Sequence, residues 1–87
     1  MIYQVIIQDS VQKELKQIPR VELKKIQKTI LSLATNPFPN GCLKLEGSKE
    51  KLYCIRKGNY RIIYTVDHDI VTITILKIAH HGDVYKF

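Results

Sequence analysis

Two arginines, Arg56 and Arg61, flank a Gly58-Asn59 dipeptide within a run of strand formers from Tyr53 to Tyr64. Such dipeptides accept the positive φ that a two-residue hairpin turn demands, so the run reads as a β-hairpin. Successive strand side chains point to opposite faces. Tyr60, Ile62, Tyr64 and Val66 then share one face, and Arg61, Ile63 and Thr65 the other. If Ile55, Ile62 and Val66 face a core, Arg56 and Arg61 lie together on the open side. Two guanidinium groups side by side repel. The pair makes sense when an anion sits between them, because guanidinium forks hold phosphoryl oxygens bidentately and stabilise charge that develops there. Two solvated arginines on a sheet surface are the plainer alternative.

A second polar cluster ends the sequence: His80-His81-Gly82-Asp83-Val84-Tyr85-Lys86-Phe87. Adjacent histidines at a strand end project in different directions, which disfavours a shared metal. No Cys or carboxylate cluster supplies the three or four ligands zinc needs, so no metal and no cofactor are expected. Proton transfer by one histidine is more natural, because imidazole titrates near working pH. Tyr85 or Phe87 could stack on a nucleobase or position a hydroxyl, although Phe87 fits better folded back on the core. Nucleophilic catalysis is poorly supported. Cys54 sits among basic residues, but no Ser or Cys motif has a recognisable partner, and four glycines supply no nucleotide-binding loop.

These groups need a scaffold. Ile2 to Gln8 is apolar and β-branched and reads as a short buried strand. Asp9, with Gln12 three residues on, resembles a capping box. Val11, Leu15 and Ile18 recur at helical spacing, and Pro19 breaks or restarts the helix. Leu23, Ile26, Ile30 and Leu33 form the buried stripe of a second helix, which Asn36-Pro37 ends. A turn-rich connector, Pro37 to Gly41, leads through Lys44-Leu45-Glu46-Gly47 into a polar loop, Ser48 to Lys51. Strands follow at Leu52 to Lys57, Tyr60 to Val66 and Ile70 to Ile78. The expected fold is α+β, in the order β-α-α-β-β-β. A helical hairpin would pack on one face of a mostly antiparallel four-stranded sheet, with residues 1–87 as one domain.

The totals agree with one small core: 87 residues, 45% hydrophobic. Fourteen Lys+Arg against eight Asp+Glu give a net charge of +6, which favours a polyanionic partner. The outer helix faces are basic: Lys13 and Lys16 on the first, and Arg20, Lys24 and Lys28 in an i, i+4, i+8 row on the second, with Lys25 beside it. Glu14 and Glu22 are the only acids set among them, so these faces are not charge-balanced. Cys42 and Cys54 make no disulfide framework. No signal peptide opens the sequence and no apolar run approaches a membrane span, so a cytoplasmic chain with free thiols and no membrane partner is expected.

Three stretches in order are similar to a known family. Lys44-Leu45-x-Gly47, then Tyr53-x-Ile55-Arg56-x-Gly58-x-Tyr60-Arg61-Ile62-Ile63-Tyr64, then His80-x-x-Asp83-Val84-Tyr85 resemble the RelE branch of the RelE/ParE toxin superfamily. Size and element order match as well. The resemblance implies the toxin of a type II toxin–antitoxin pair, a metal-independent endoribonuclease that cuts mRNA in the ribosomal A site. There the substrate's 2′-hydroxyl attacks its own 3′-phosphate. Carried over, Arg56 and Arg61 would hold the scissile phosphate and Tyr85 would stack on or orient the substrate. Lys13, Lys16, Arg20, Lys24, Lys28, Lys44, Lys57, His80 and Lys86 would contact RNA phosphates. The implied partners are a cognate antitoxin on a separate chain, the ribosome and mRNA.

Two positions depart from the family pattern. Cys54 stands where Lys or Arg is frequent, and His81 where Arg is common. Histidine at 81 would suit protonation of the leaving 5′-oxygen, so His81 is the expected general acid. Two other functions stay open on the sequence: a ParE-like toxin that binds DNA gyrase and cleaves no RNA, and a catalytically weakened member kept for binding.

Overall fold

The computed structural model of the chain describes residues 2–45 and 51–80. Strand β1 (Gln4–Ile7) leads into helices α1 (Asp9–Lys16) and α2 (Arg20–Leu33), followed by β2 (Leu43–Leu45), β3 (Leu52–Lys57), β4 (Tyr60–Asp67) and β5 (Thr72–His80). Among the described residues the sheet has five strands in the order β1-β5-β4-β3-β2, and only the β1–β5 pair is parallel. The α+β class, the element order and the helical hairpin on one face are as expected from sequence.

The fifth strand is a correction. Leu43–Leu45 pairs antiparallel with Leu52–Cys54 and extends the sheet beyond β3. Three residues with a lysine at the centre carry little periodic signal, and a short, charged strand is how an exposed edge is commonly blunted. β1 is likewise an edge strand and not a fully buried one: Val5 and Ile7 pack on the core, while Ile6 is 43% exposed on the other side. β5 begins and ends two residues later than Ile70 to Ile78. Asp67 accepts backbone N–H bonds from Asp69 and Ile70 (2.9 and 3.3 Å), which commits Ile70 to the turn.

The helices form where their apolar spacing predicts. Val11 and Leu15 of α1, with Ile26, Ile30 and Leu33 of α2, are buried against Ile55, Ile62, Tyr64, Ile73 and Ile75 of the sheet. Each fully buried aliphatic side chain contributes about 1.5–3 kcal/mol. Pro19 occupies the cap position of α2 with φ −53°. The capping box at Asp9 does not form. Asp9 is the first helical residue, Gln8 holds the cap position without a side-chain bond, and Gln12 Nε2 donates to the Ile7 carbonyl at 3.0 Å. Asp9 still favours the helix by placing negative charge in its first turn. No helix of the described residues is long and apolar enough to cross a membrane.

Candidate functional site

Arg56 and Arg61 are direct partners on the β3–β4 ladder, as the alternation of the hairpin requires. Ile55 and Ile62, also partners, point into the core beneath the helices. The two arginines therefore share the face without helices. Gly58 adopts φ +60° at the turn, which sets this register. Arg56 is exposed and Arg61 half-buried. Arg56 Nε donates to the Gly58 carbonyl at 3.3 Å, which leans its guanidinium toward the hairpin end.

A cleft of about 360 Å³ lies at the pair, lined by Arg56 and Arg61 together with Asn40, Gly41, Leu43, Cys54 and Ile55. Cys54 is only 3% exposed and partners Ile63, itself 2% exposed. Where the resemblance leads one to expect a cation, the structure has a closed apolar packing site. Cys42 and Cys54 are both free thiols.

The far rim of the cleft comes from the connector between α2 and β2, whose Asn40 and Gly41 sequence reasoning did not single out. Gly41 has φ +87° and Cys42 N–H bonds back to the Pro39 carbonyl at 3.0 Å, which makes the connector a tight turn. Tyr64 fastens it. Its hydroxyl donates to the Pro37 carbonyl at 2.7 Å and lies 3.0 Å from Cys42 Sγ. Burial, reinforced by the bond to Cys42, pushes the Tyr64 phenol far above its ordinary range, so it remains a neutral donor. Phe38 stacks edge-on against Tyr53 at 4.9 Å and completes the anchor. The Pro-Phe-Pro-Asn-Gly spelling signalled a turn. Its contact with β4 was not legible, because no local pattern links positions 37 and 64.

The remaining basic residues divide between surfaces. Lys13 and Lys16 are exposed on α1, and Arg20 and Lys24 on α2, across the sheet from the arginine pair. Lys44 partners Tyr53, so its side chain leaves the sheet on the helix side, away from Arg56 and Arg61. His80 ends β5 opposite Tyr60, with ring centroids 5.2 Å apart at 83°, again on the helix side. Lys28 and Lys57 do come together: with Lys25, Thr29, Ser32 and Gly58 they line a second cleft of about 560 Å³. His81, Tyr85 and Lys86 lie outside the described residues.

The arrangement can bind an oxyanion on the open sheet face, between two guanidinium forks and above an apolar floor. Such donors act on charge that builds up on phosphoryl oxygens.

Comparison with known proteins bears on this geometry. The family model of the ParE toxin of the type II toxin–antitoxin system parDE matches residues 5–85. RelE1 of Methanocaldococcus jannaschii is 38% identical over 89 residues, spanning 99% of this chain and 98% of its own. This chain belongs to the RelE/ParE superfamily of type II toxin–antitoxin toxins. Among solved structures, a chain of the archaeal RelE–RelB complex from Pyrococcus horikoshii superposes with a TM-score of 0.83 at 34% identity, covering 94% of this chain and 98% of that one. The RelBE2 toxin–antitoxin complex of Mycobacterium tuberculosis gives 0.81 at 22% identity, covering 92% and 99%, which is a likeness of fold. The toxin thus shares with these relatives the helical hairpin and the sheet that carries Arg56 and Arg61.

Proposed function

We propose that this toxin cleaves mRNA on the ribosome. The observation that carries the reading is the opposition of Arg56 and Arg61 across the hairpin, at the mouth of a cleft on the open sheet face. A scissile phosphate seated between them is attacked by the neighbouring 2′-hydroxyl, which gives up its proton to solvent, and the bond from phosphorus to the 5′-oxygen breaks. The products are a 2′,3′-cyclic phosphate and a 5′-hydroxyl. The guanidinium forks stabilise the extra negative charge on the non-bridging oxygens, a contribution typically worth about 10²–10³ in rate per donor. His81 protonates the departing 5′-oxygen, and Tyr85 orients the nucleotide that carries the 2′-hydroxyl. No metal takes part in this scheme. The basic helix faces rest on ribosomal RNA phosphates.

A cognate antitoxin is the second partner of this reading. Two of the superposed relatives were solved in toxin–antitoxin complexes. Against a +6 toxin, an acidic or amphipathic antitoxin segment gives complementary charge.

The alternative is a toxin that binds DNA gyrase, and the match to the ParE family model favours it. The discriminating experiment adds purified toxin to a translating ribosome system and maps mRNA 5′ ends, with a gyrase supercoiling assay in parallel. Cuts that require ribosomes are the expected result. Gyrase inhibition with intact mRNA would replace this reading by the alternative, and neither effect would leave a binding-only member.

A further inference from the structure

Lys57 follows Arg56 in β3, so strand alternation sends the two cations to opposite faces of one hairpin end. On the helix side Lys57 meets Lys25 and Lys28 of α2 around the cleft of about 560 Å³, a size that admits a nucleotide-sized group. Among the described residues, none of these three ammonium groups has a carboxylate within ion-pairing distance. The Thr29 and Ser32 hydroxyls donate to helix carbonyls, Lys25 at 2.9 Å and Thr29 at 2.6 Å, so the donors left for an anion are the lysines. One carboxylate stands at the rim: Glu22 Oε2 would come within 3.1 Å of a Cβ placed on Gly58.

We infer that this cleft is a second phosphate site, which holds an RNA backbone as it passes round the hairpin end from the Arg56/Arg61 face. The inference rests on the ribonuclease reading above and adds to it a fixed path for the strand. The lining favours RNA over an acidic peptide. It contains no aromatic or branched aliphatic side chain to receive a peptide's apolar groups, whereas backbone phosphates need only charge. A phosphodiester also carries a charge at every nucleotide, so one strand can serve both faces of so thin an edge.

The test measures binding of a 2′-O-methyl RNA oligonucleotide, which cannot be cleaved, to the full toxin across a salt series. Lys28→Ala and Lys57→Ala are each expected to weaken binding about fivefold, the worth of one solvated charge contact. Each should also flatten the slope of log K against log salt by about 0.7. Lys→Arg at either position should restore both quantities. Glu22→Gln should tighten binding, an effect of opposite sign that a folding defect could not produce. A poly-glutamate peptide should bind more weakly and respond less to these substitutions. If Arg56→Gln and Arg61→Gln weaken RNA binding but the lysine and Glu22 variants do not, the second site is wrong and the ribonuclease reading survives. If wild-type toxin fails to bind the oligonucleotide, the second site falls, while the ribosome-dependent ribonuclease reading stands or falls on the mRNA cuts mapped with ribosomes. Stronger, lysine-dependent binding of the peptide would reassign the cleft to a protein partner.

Discussion

Arg56 and Arg61 stand directly opposite one another on the β3–β4 ladder, two like charges at the closest lateral spacing a sheet offers. Opposed like charges destabilise a sheet by about 0.2–1 kcal/mol. Fold and function therefore pull in different directions here. Arg56→Gln should leave the melting temperature unchanged or slightly raised, while cleavage falls by about 10²–10³-fold. Paired thermal melts and cleavage rates check this. A variant that loses activity and stability together would make Arg56 a structural residue.

Tyr64 joins the core to the rim of the cleft through Pro37 and Cys42. Tyr64→Phe leaves the Pro37 carbonyl without its hydroxyl donor and is expected to cost about 1–3 kcal/mol. The phenol's pKa is raised in the folded state, so its contribution is fully present below the unfolded value of 10.0 and is lost as pH rises beyond it. Above that pH the unfolded chain releases a proton the folded chain keeps. Stability should then fall by about 1.4 kcal/mol per pH unit from this group alone. Denaturant titrations between pH 8 and 11 should show that decline in wild type and a shallower one in Tyr64→Phe. Parallel curves would remove Tyr64 from the account.

Cys54 stands where the resemblance would place a cation, yet it is closed against Ile63. Cys54→Ala should cost about 1 kcal/mol from lost packing and leave cleavage almost unchanged. Measured rates and melts separate the two effects. A large drop in rate with intact folding would give the thiol a chemical role that its burial argues against.

Val71 adopts φ +50° at the entry to β5, and its carbonyl accepts the Gln4 N–H at 2.9 Å. A β-branched residue there is strained, while asparagine tolerates that region. Val71→Asn should raise stability by about 1 kcal/mol without touching the site, as a urea midpoint would register. A lower midpoint would mean that Val71 contributes more by packing than its backbone costs.

Much of this was legible from spacing alone. Period-two alternation around Gly58-Asn59 placed Arg56 and Arg61 on one face, and the helical stripes from Val11 to Leu33 gave the layer that makes the other face the core. What escaped has a common cause: it depends on partners distant in sequence. β2 exists only because β3 offers an edge to Leu43–Leu45. In β5, Ile73 and Ile75 give way to Ile78 on the core side because the ladder shifts register between Ile63 and Tyr64. A strict alternation would have turned Ile78 outward. The Asn40–Gly41 rim depends on the reach of Tyr64 from β4 to Pro37. His80 belonged to the polar tail by sequence proximity, yet pairing with Tyr60 sets it on the face away from the arginines.

The most direct test of the central claim is end analysis of mRNA from programmed ribosomes incubated with wild-type toxin, Arg56→Ala and Arg61→Ala. Wild type should yield upstream fragments ending in a 2′,3′-cyclic phosphate and downstream fragments with a 5′-hydroxyl. Both variants should yield almost none of either while remaining folded. Fragments of that chemistry at undiminished rate from either variant would contradict the role assigned to the arginine pair.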